Sequence, residues 1–202
     1  GIGVVQWAPE RCLGQCCLSD AAIDLGLEEL TPAQAAEKGA RSLVIGIANV
    51  GGTISPSWRQ VLNQALEAGL DLVAGMHERL RADPDLVELA RKTGRQLVDL
   101  RDPPEALPIG TGKARSGRRV LTVGTDCAVG KKYTALAIWR ELGSRGQRAD
   151  FCATGQTGVL ISGKGFAIDS VVSDFISGAA EYLAPASNPD HWHVVEGQGS
   201  IF

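Results

Sequence analysis

The sequence predicts an α/β protein of two domains: a parallel-sheet domain over residues 1–101 and a P-loop NTPase-like domain over 119–202, with a linker at 102–118. Two observations carry that prediction. From Ser42 to Leu100, short apolar runs alternate with stretches of helical periodicity, the order that builds parallel sheets. The stretch Val120-Leu-Thr-Val-Gly-Thr-Asp-Cys-Ala-Val-Gly-Lys-Lys-Tyr-Thr134 then reads as the strand, glycine loop and helix of a phosphate-binding P-loop.

The chemistry of that loop is specific. Gly124 and Gly130 allow backbone geometry that side chains obstruct, so successive N–H groups can point into one concavity. The positive end of the following helix adds to the field, and Lys131 supplies a mobile charge. Where Ser or Thr usually follows to hold Mg²⁺, this chain has Lys132. A second ammonium repels a metal ion and attracts phosphate. Gly124, Thr125, Asp126, Cys127, Ala128, Val129, Gly130, Lys131, Lys132 and Tyr133 are therefore the candidate cofactor-binding residues, with no metal expected.

The first domain reads as follows. Ile2 to Trp7 is an apolar stretch taken as a strand, ended by Pro9. Cys12, Cys16 and Cys17 lack a zinc spacing and a second Cys/His pair nearby, and read as buried or helix-packing thiols. Thr31 and Pro32 open a helix as N-cap and first residue, and Gly39 stops it. Ser42 to Ala48 is a continuous apolar run, expected of a strand covered on both faces, and Asn49 to Gly52 a turn. Trp58, Val61, Leu62, Ala65 and Leu66 mark a helix over 56–68. Leu70 to Ala74, Pro84 to Arg91 and Gln96 to Leu100 supply a strand, a helix capped by Asp83 and Gly94, and a last strand.

Residues 101–119 hold Pro103, Pro104, Pro108, Gly110, Gly112 and Gly117 among basic residues, which is linker composition; Lys113, Arg115, Arg118 and Arg119 read as solvated rather than as holding an anionic ligand near the domain junction. Beyond the P-loop, Ala135 to Leu142 continue the first helix. Asp150 to Ala153 is a strand, Ile168 to Leu183 keeps helical spacing up to Pro185, and His193 to Val195 is the third strand. In a parallel sheet the strand carboxyl ends share one edge, where ligands bind. The glycine-bearing loops 124–130, 155–158 and 197–199 should therefore converge, with Asp126, Gln156, Thr157, Glu196 and Gln198 interleaved. His191 and His193 fall on one sheet face by alternation, a spacing seen in metal sites; lacking a third ligand nearby in sequence, they read as packing or hydrogen-bonding residues.

A formal net charge of −3 gives no electrostatic reason to expect nucleic acid, and no apolar run is long enough for a bilayer. Five cysteines, an odd number, fit a reducing cytoplasm better than a disulfide scaffold. The start at Gly1 leaves a removed leader open. The chain stops at Phe202 soon after a strand, with three strands from Val120 onward, so further C-terminal strands and helices are expected.

Gly124-Thr-Asp-Cys-Ala-Val-Gly-Lys131 and Val195-Glu-Gly-Gln-Gly199 resemble the P-loop branch that includes dethiobiotin synthetase. Ala153-Thr-Gly-Gln-Thr-Gly158, Ile168-Asp-Ser-Val-Val-Ser-Asp-Phe175 and Gly178-Ala-Ala-Glu181 resemble more closely a family that joins a Rossmann-like N-terminal domain to a P-loop domain. That family includes the acetyl-CoA-dependent D-amino-acid N-acetyltransferase of bacterial D-glutamate catabolism. The resemblance implies acetyl-CoA as acyl donor and the amine of D-glutamate or a close analogue as acceptor, which the metal-free reading of Lys132 fits. Acetyl transfer needs a neutral amine and donors for an oxyanion. Glu196 is the first candidate for base and Asp174 the second. Gln156, Thr157 and Gly158 are candidate substrate-binding residues, with backbone N–H groups from Gly155 to Gly158 for the oxyanion. Cys127, inside the loop, reads as a small packing residue rather than an acyl carrier. An ATP-dependent ligase or kinase, and a nucleotide-binding regulator without chemistry, are the alternatives; Lys132 argues against the first. A homo-oligomer is expected.

Overall fold

A computed structural model describes residues 1–18, 23–47 and 50–200. The chain divides into two compact units, Gly1–Arg101 and Asp102–Phe202. No helix among the described residues is long and apolar enough to cross a membrane.

The first unit opens with α1 (Ile2–Trp7), a helix where the apolar pattern suggested a strand. A short apolar run does not distinguish the two. Here Val5 N–H donates to the Gly1 carbonyl and Ala8 N–H to that of Val4, so helical bonds satisfy the backbone. α2 (Pro32–Glu37) carries a complete capping box: Thr31 Oγ1 accepts from Gln34 N–H, and Gln34 Oε1 accepts from Thr31 N–H at 2.9 Å. β1 (Ser42–Ile45), β2 (Asp71–Ala74) and β3 (Leu97–Asp99) pair in parallel in that order. β1 is an edge strand with Val44 39% exposed, not a strand covered on both faces. The end of the expected strand at Ala48 and the start of the turn at Asn49 lie outside the described residues.

The intervening helices follow their punctuation. α3 (Arg59–Glu67) buries Leu62, Ala65 and Leu66, and Gly69 beyond it has φ +86°. α4 (Pro84–Thr93) starts where Asp83 accepts the N–H groups of Asp85 and Leu86, and ends at left-handed Gly94. Their apolar faces meet β2 in one core with Leu70, Leu72, Ala74, Met76 and Leu80. Cys12, Cys16 and Cys17 are half-buried rather than core residues. Cys16 and Cys17 lie in no helix.

The second unit contains β4 (Arg118–Leu121), α5 (Lys131–Ser144), β5 (Ala149–Cys152), α6 (Gln156–Ser162), α7 (Ile176–Leu183) and β6 (Trp192–Val195). All three strands are parallel, ordered β4-β6-β5, so the last strand inserts between the first two. α5 covers one face, with Trp139 tilted against Phe151 at 5.9 Å and donating from Nε1 to the Ala149 carbonyl. On the other face, Phe166, Val171 and Ala179 form a second cluster together with Leu107, Ile168 and Leu183.

Two expectations fail here. Residues 168–183 are not one helix: two 3₁₀ turns, Ile168–Ser170 and Ser173–Phe175, precede α7. Val171 and Val172 are extended between them, and Ser170 Oγ donates to the Ala167 carbonyl. β-branched pairs and local serine bonds both compete with helix. Val172, Phe175 and Tyr182 consequently lie exposed instead of on a buried stripe. Nor are residues 102–117 a solvated tether. Thr111 and Gly112 N–H donate to Glu181 Oε1, and a Cβ on Gly178 would fall 1.6 Å from the Pro108 carbonyl oxygen. Arg115 donates to the Ala184 carbonyl, and Arg119 to those of Arg115, Ser116, Gly117, Ala184 and Pro185.

Candidate active site at the carboxyl edge of the second sheet

β4, β5 and β6 run parallel, so the segments after them emerge at one edge. Hydrogen bonds there tie the segments together. Gly197 N–H donates to Thr122 Oγ1 at 3.1 Å, Thr154 Oγ1 to the Glu196 carbonyl at 2.7 Å, and Gln198 Nε2 to Thr154 Oγ1 at 3.2 Å. A Cβ on Gly197 would meet the Thr122 carbonyl oxygen at 1.7 Å, so glycine is required for this approach.

The loop after β4 ends at Gly130, left-handed at φ +100°, which is the N-cap of α5 and offers no side-chain acceptor. The first N–H groups of α5 have no acceptor within the helix and none from the side chain of its N-cap. Lys131 and Lys132 occupy its first turn, where the helix dipole disfavours cations by about 0.3–1 kcal/mol each. An anion at this point would reverse that cost. Lys131 Nζ donates to the Asp126 carbonyl at 2.6 Å, and its stem passes by Gly124, where a Cβ would meet Lys131 Cγ and Cδ at 3.2 Å. Asp126 Oδ1 accepts the Cys127 N–H at 2.6 Å. Ala128, at φ +57°, is the one non-glycine residue in the left-handed region among the described residues. Such a conformation costs about 1–2 kcal/mol and fixes the loop's shape. Lys132 Nζ lies 4.6 Å from the centre of the Tyr133 ring. Thr125 and Val129 are exposed, and so is Cys127, which does not pack as its small size suggested.

Glu196 follows β6 and is 3% exposed. Its Oε2 accepts the N–H groups of Thr154 at 3.0 Å and Gly155 at 3.2 Å. Burial pushes its carboxyl above the usual range, against the opposing pull of those N–H groups and of Lys132. A shallow trough of about 160 Å³ adjoins it, walled by Leu121, Val195, Ile168, Ile176, Ala180 and Leu183, with Thr154, Glu196 and Gln198 as its polar residues.

The structure separates the other candidates. Gln156, Thr157 and Gly158 form the first turn of α6 rather than a loop. Gly155 N–H is committed to Glu196. A Cβ on Gly158 would stand 2.3 Å from Glu196 Oε2. Asp174 is exposed on a 3₁₀ turn and does not line the trough. Thr154, buried beneath Glu196 and bonded to it twice, was not singled out from sequence. Its place directly after a strand, beside Gly155, was the available signal. Burial pushes the Cys152 thiol up to about 11, which leaves it protonated at neutral pH.

This chain's arrangement has relatives. Residues 11–103 match the family model described as a domain of unknown function, the DUF1611 Rossmann-like N-terminal domain, and residues 108–202 match the DUF1611 P-loop domain. The chain belongs to the DUF1611 family. Its curated relatives include a protein from Tritonibacter scottomollicae named D-glutamate N-acetyltransferase, 51% identical over 201 residues. Another of the same name from a Pseudoalteromonas species is 42% identical over 198 residues. These alignments cover 100% and 98% of this chain, and the chain spans 60% of each relative's length. Among solved structures, a crystal structure of a DUF1611 family protein from Anabaena variabilis ATCC 29413 superposes with a TM-score of 0.76 at 39% identity. That match covers 87% of this chain and 52% of the other. The DUF1611 assignment agrees with two parallel-sheet α/β units, the second built on a P-loop.

Proposed function

We propose that this chain carries the coenzyme site and catalytic base of an N-acetyltransferase acting on D-glutamate. In this reading the acyl donor is acetyl-CoA, and the reaction serves cytoplasmic amino-acid catabolism. The observation that carries the proposal is Glu196, a buried carboxylate with a raised pKa at the edge where a doubly basic helix start also lies. The names of the relatives support it.

The parts fit the chemistry of a phosphate-bearing thioester. Residues 124–133, with the first turn of α5, suit the pyrophosphate of coenzyme A, and Lys132 in place of a hydroxyl means no metal is needed. The apolar wall of Leu121, Ile176 and Val195 suits the pantetheine arm. Glu196 accepts a proton from the D-glutamate ammonium. That proton passes on to solvent. The freed amine attacks the thioester carbonyl, and Glu196 takes the second amine proton from the tetrahedral adduct. As the C–S bond breaks, Glu196 gives it to the departing sulfur, leaving a neutral amide and the free thiol. Gln156, Thr157 and Gly158 offer first-turn N–H groups that lack helical acceptors. Asp174 is the second candidate for the base.

The test is an acetylation assay with D-glutamate and acetyl-CoA in the presence of EDTA. Thermal stabilisation by acetyl-CoA and by Mg-ATP is measured on the same sample. Acetyl-D-glutamate formation and stabilisation by acetyl-CoA are expected. Stabilisation by Mg-ATP alone, with no product, would overturn the proposal in favour of a nucleotide-dependent activity.

A further inference from the structure

His193 lies on β6 and His191 immediately precedes it, two residues away, and their ring centroids lie 4.9 Å apart. The sequence offers them no third ligand nearby, but the sheet does. In the β5–β6 register Asp150 stands directly opposite His193. Asp150 Oδ2 lies 3.2 Å from His191 Nε2, and one ligand atom from each of the three residues lies within 4.8 Å of the other two.

Ligand atoms about 2.0–2.1 Å from a tetrahedral zinc are separated from one another by about 3.3 Å. The Asp150–His191 pair already has that separation. The remaining gaps close by side-chain rotation, for which Asp150, 49% exposed, has room. Two imidazoles with one carboxylate form a donor set suited to zinc and to other divalent first-row metals, leaving a fourth position for water. Ser187 Oγ, 3.1 Å from His193 Nε2, supplies an outer partner of the kind that orients ligating histidines. Arg119 pairs with His193 on the other side of β6, but its guanidinium is engaged by five backbone carbonyls. Asp150 and His193 are the second residues of their strands and His191 precedes β6, so the cluster lies toward the amino ends, away from the P-loop edge.

We infer that Asp150, His191 and His193 form a binding site for a divalent transition metal, with zinc the best match, that joins β5 to β6 and is separate from the P-loop site. The test uses the full chain, stripped with a chelator and dialysed. Zinc is titrated by calorimetry, melting temperature is followed, and Co²⁺ serves as the spectroscopic probe. The result expected is one saturable zinc per chain, a raised melting temperature, and visible absorption of four- or five-coordinate cobalt. His191→Ala and Asp150→Asn alter partly exposed side chains and spare the buried His193. Each should lower zinc affinity by about a hundredfold or more, beyond the loss typical of an outer-sphere partner. Zinc binding unchanged in both variants would assign the metal to other groups, such as Cys12, Cys16 and Cys17. No saturable binding by the parent chain would also overturn the inference. None of the three readouts depends on acetyl-CoA, so failure here leaves the acetyltransferase proposal standing, and the converse holds.

Discussion

The Glu196 carboxylate occupies the space that a side chain on Gly158 would fill: a Cβ there would stand 2.3 Å from Oε2. Helix α6 and the segment after β6 are thus fitted to one another through a missing methyl group. Gly158→Ala is expected to destabilise the fold by about 1–3 kcal/mol, the cost of overpacking. Urea denaturation measures it. Stability unchanged from the parent would show that Glu196 moves aside freely and is not held in place.

Glu196→Gln is expected to keep acetyl-CoA affinity while slowing acetylation about 10²–10⁴-fold, as for loss of a general base. Single-turnover kinetics and calorimetry on the same sample separate the two effects. An unchanged rate would shift the base assignment to Asp174.

The direction of the Glu196 shift sets a pH dependence. Its folded pKa is raised above the ordinary 4.5. Its contribution to stability is therefore fully present below 4.5 and is lost as pH rises through the folded value. Activity runs the other way, rising with pH as the carboxylate forms. Comparing parent and Glu196→Gln, the parent should lose more stability across that window. Identical pH–stability curves would contradict the raised value.

Lys131→Ala should change stability by no more than about 0.5 kcal/mol. It should weaken a phosphate-bearing ligand by about 1.5–3 kcal/mol, the range for a charge-assisted hydrogen bond. Melting temperature and acetyl-CoA affinity together decide. Early unfolding with intact affinity would make Lys131 a structural residue.

In the first unit, Asp83 caps α4 and pairs with Arg59, whose guanidinium holds its carboxyl below the usual carboxylate range. Asp83→Ala should cost about 1–2 kcal/mol, as loss of a cap does. A depressed pKa gives stability present above the ordinary 3.8 and lost as pH falls through the folded value. The parent and variant curves should therefore converge in acid. A constant gap between them would refute the pairing.

What could be read from sequence was set by punctuation and period. Asp83, Pro84 and Gly94 bounded α4 because caps act locally, and the P-loop was legible because its glycines and lysines have fixed tasks. Ile2–Trp7 departs from the strand expected because six apolar-rich residues satisfy either period, and the helical bonds to the Gly1 and Val4 carbonyls decide. The 168–183 stretch kept helical spacing, yet Val171 and Val172 took extended backbone, where local stiffness outweighed pattern. Asp150 beside His191 was invisible because cross-strand register is a property of the sheet. The bonds from Gly155 and Thr154 to Glu196 were hidden for the same reason.

The contacts between residues 107–115 and α7 bear on how the second unit can be handled alone. A fragment begun at Arg118, where the first strand starts, would remove Leu107 from its cluster and strip Glu181 of the two backbone donors that hold it. It would also uncover the notch at Gly178 that the Pro108 carbonyl fills. The cut that respects the fold lies between Arg101 and Asp102, so the natural boundary for expression, isotope labelling or domain exchange falls well ahead of the strand that starts at Arg118.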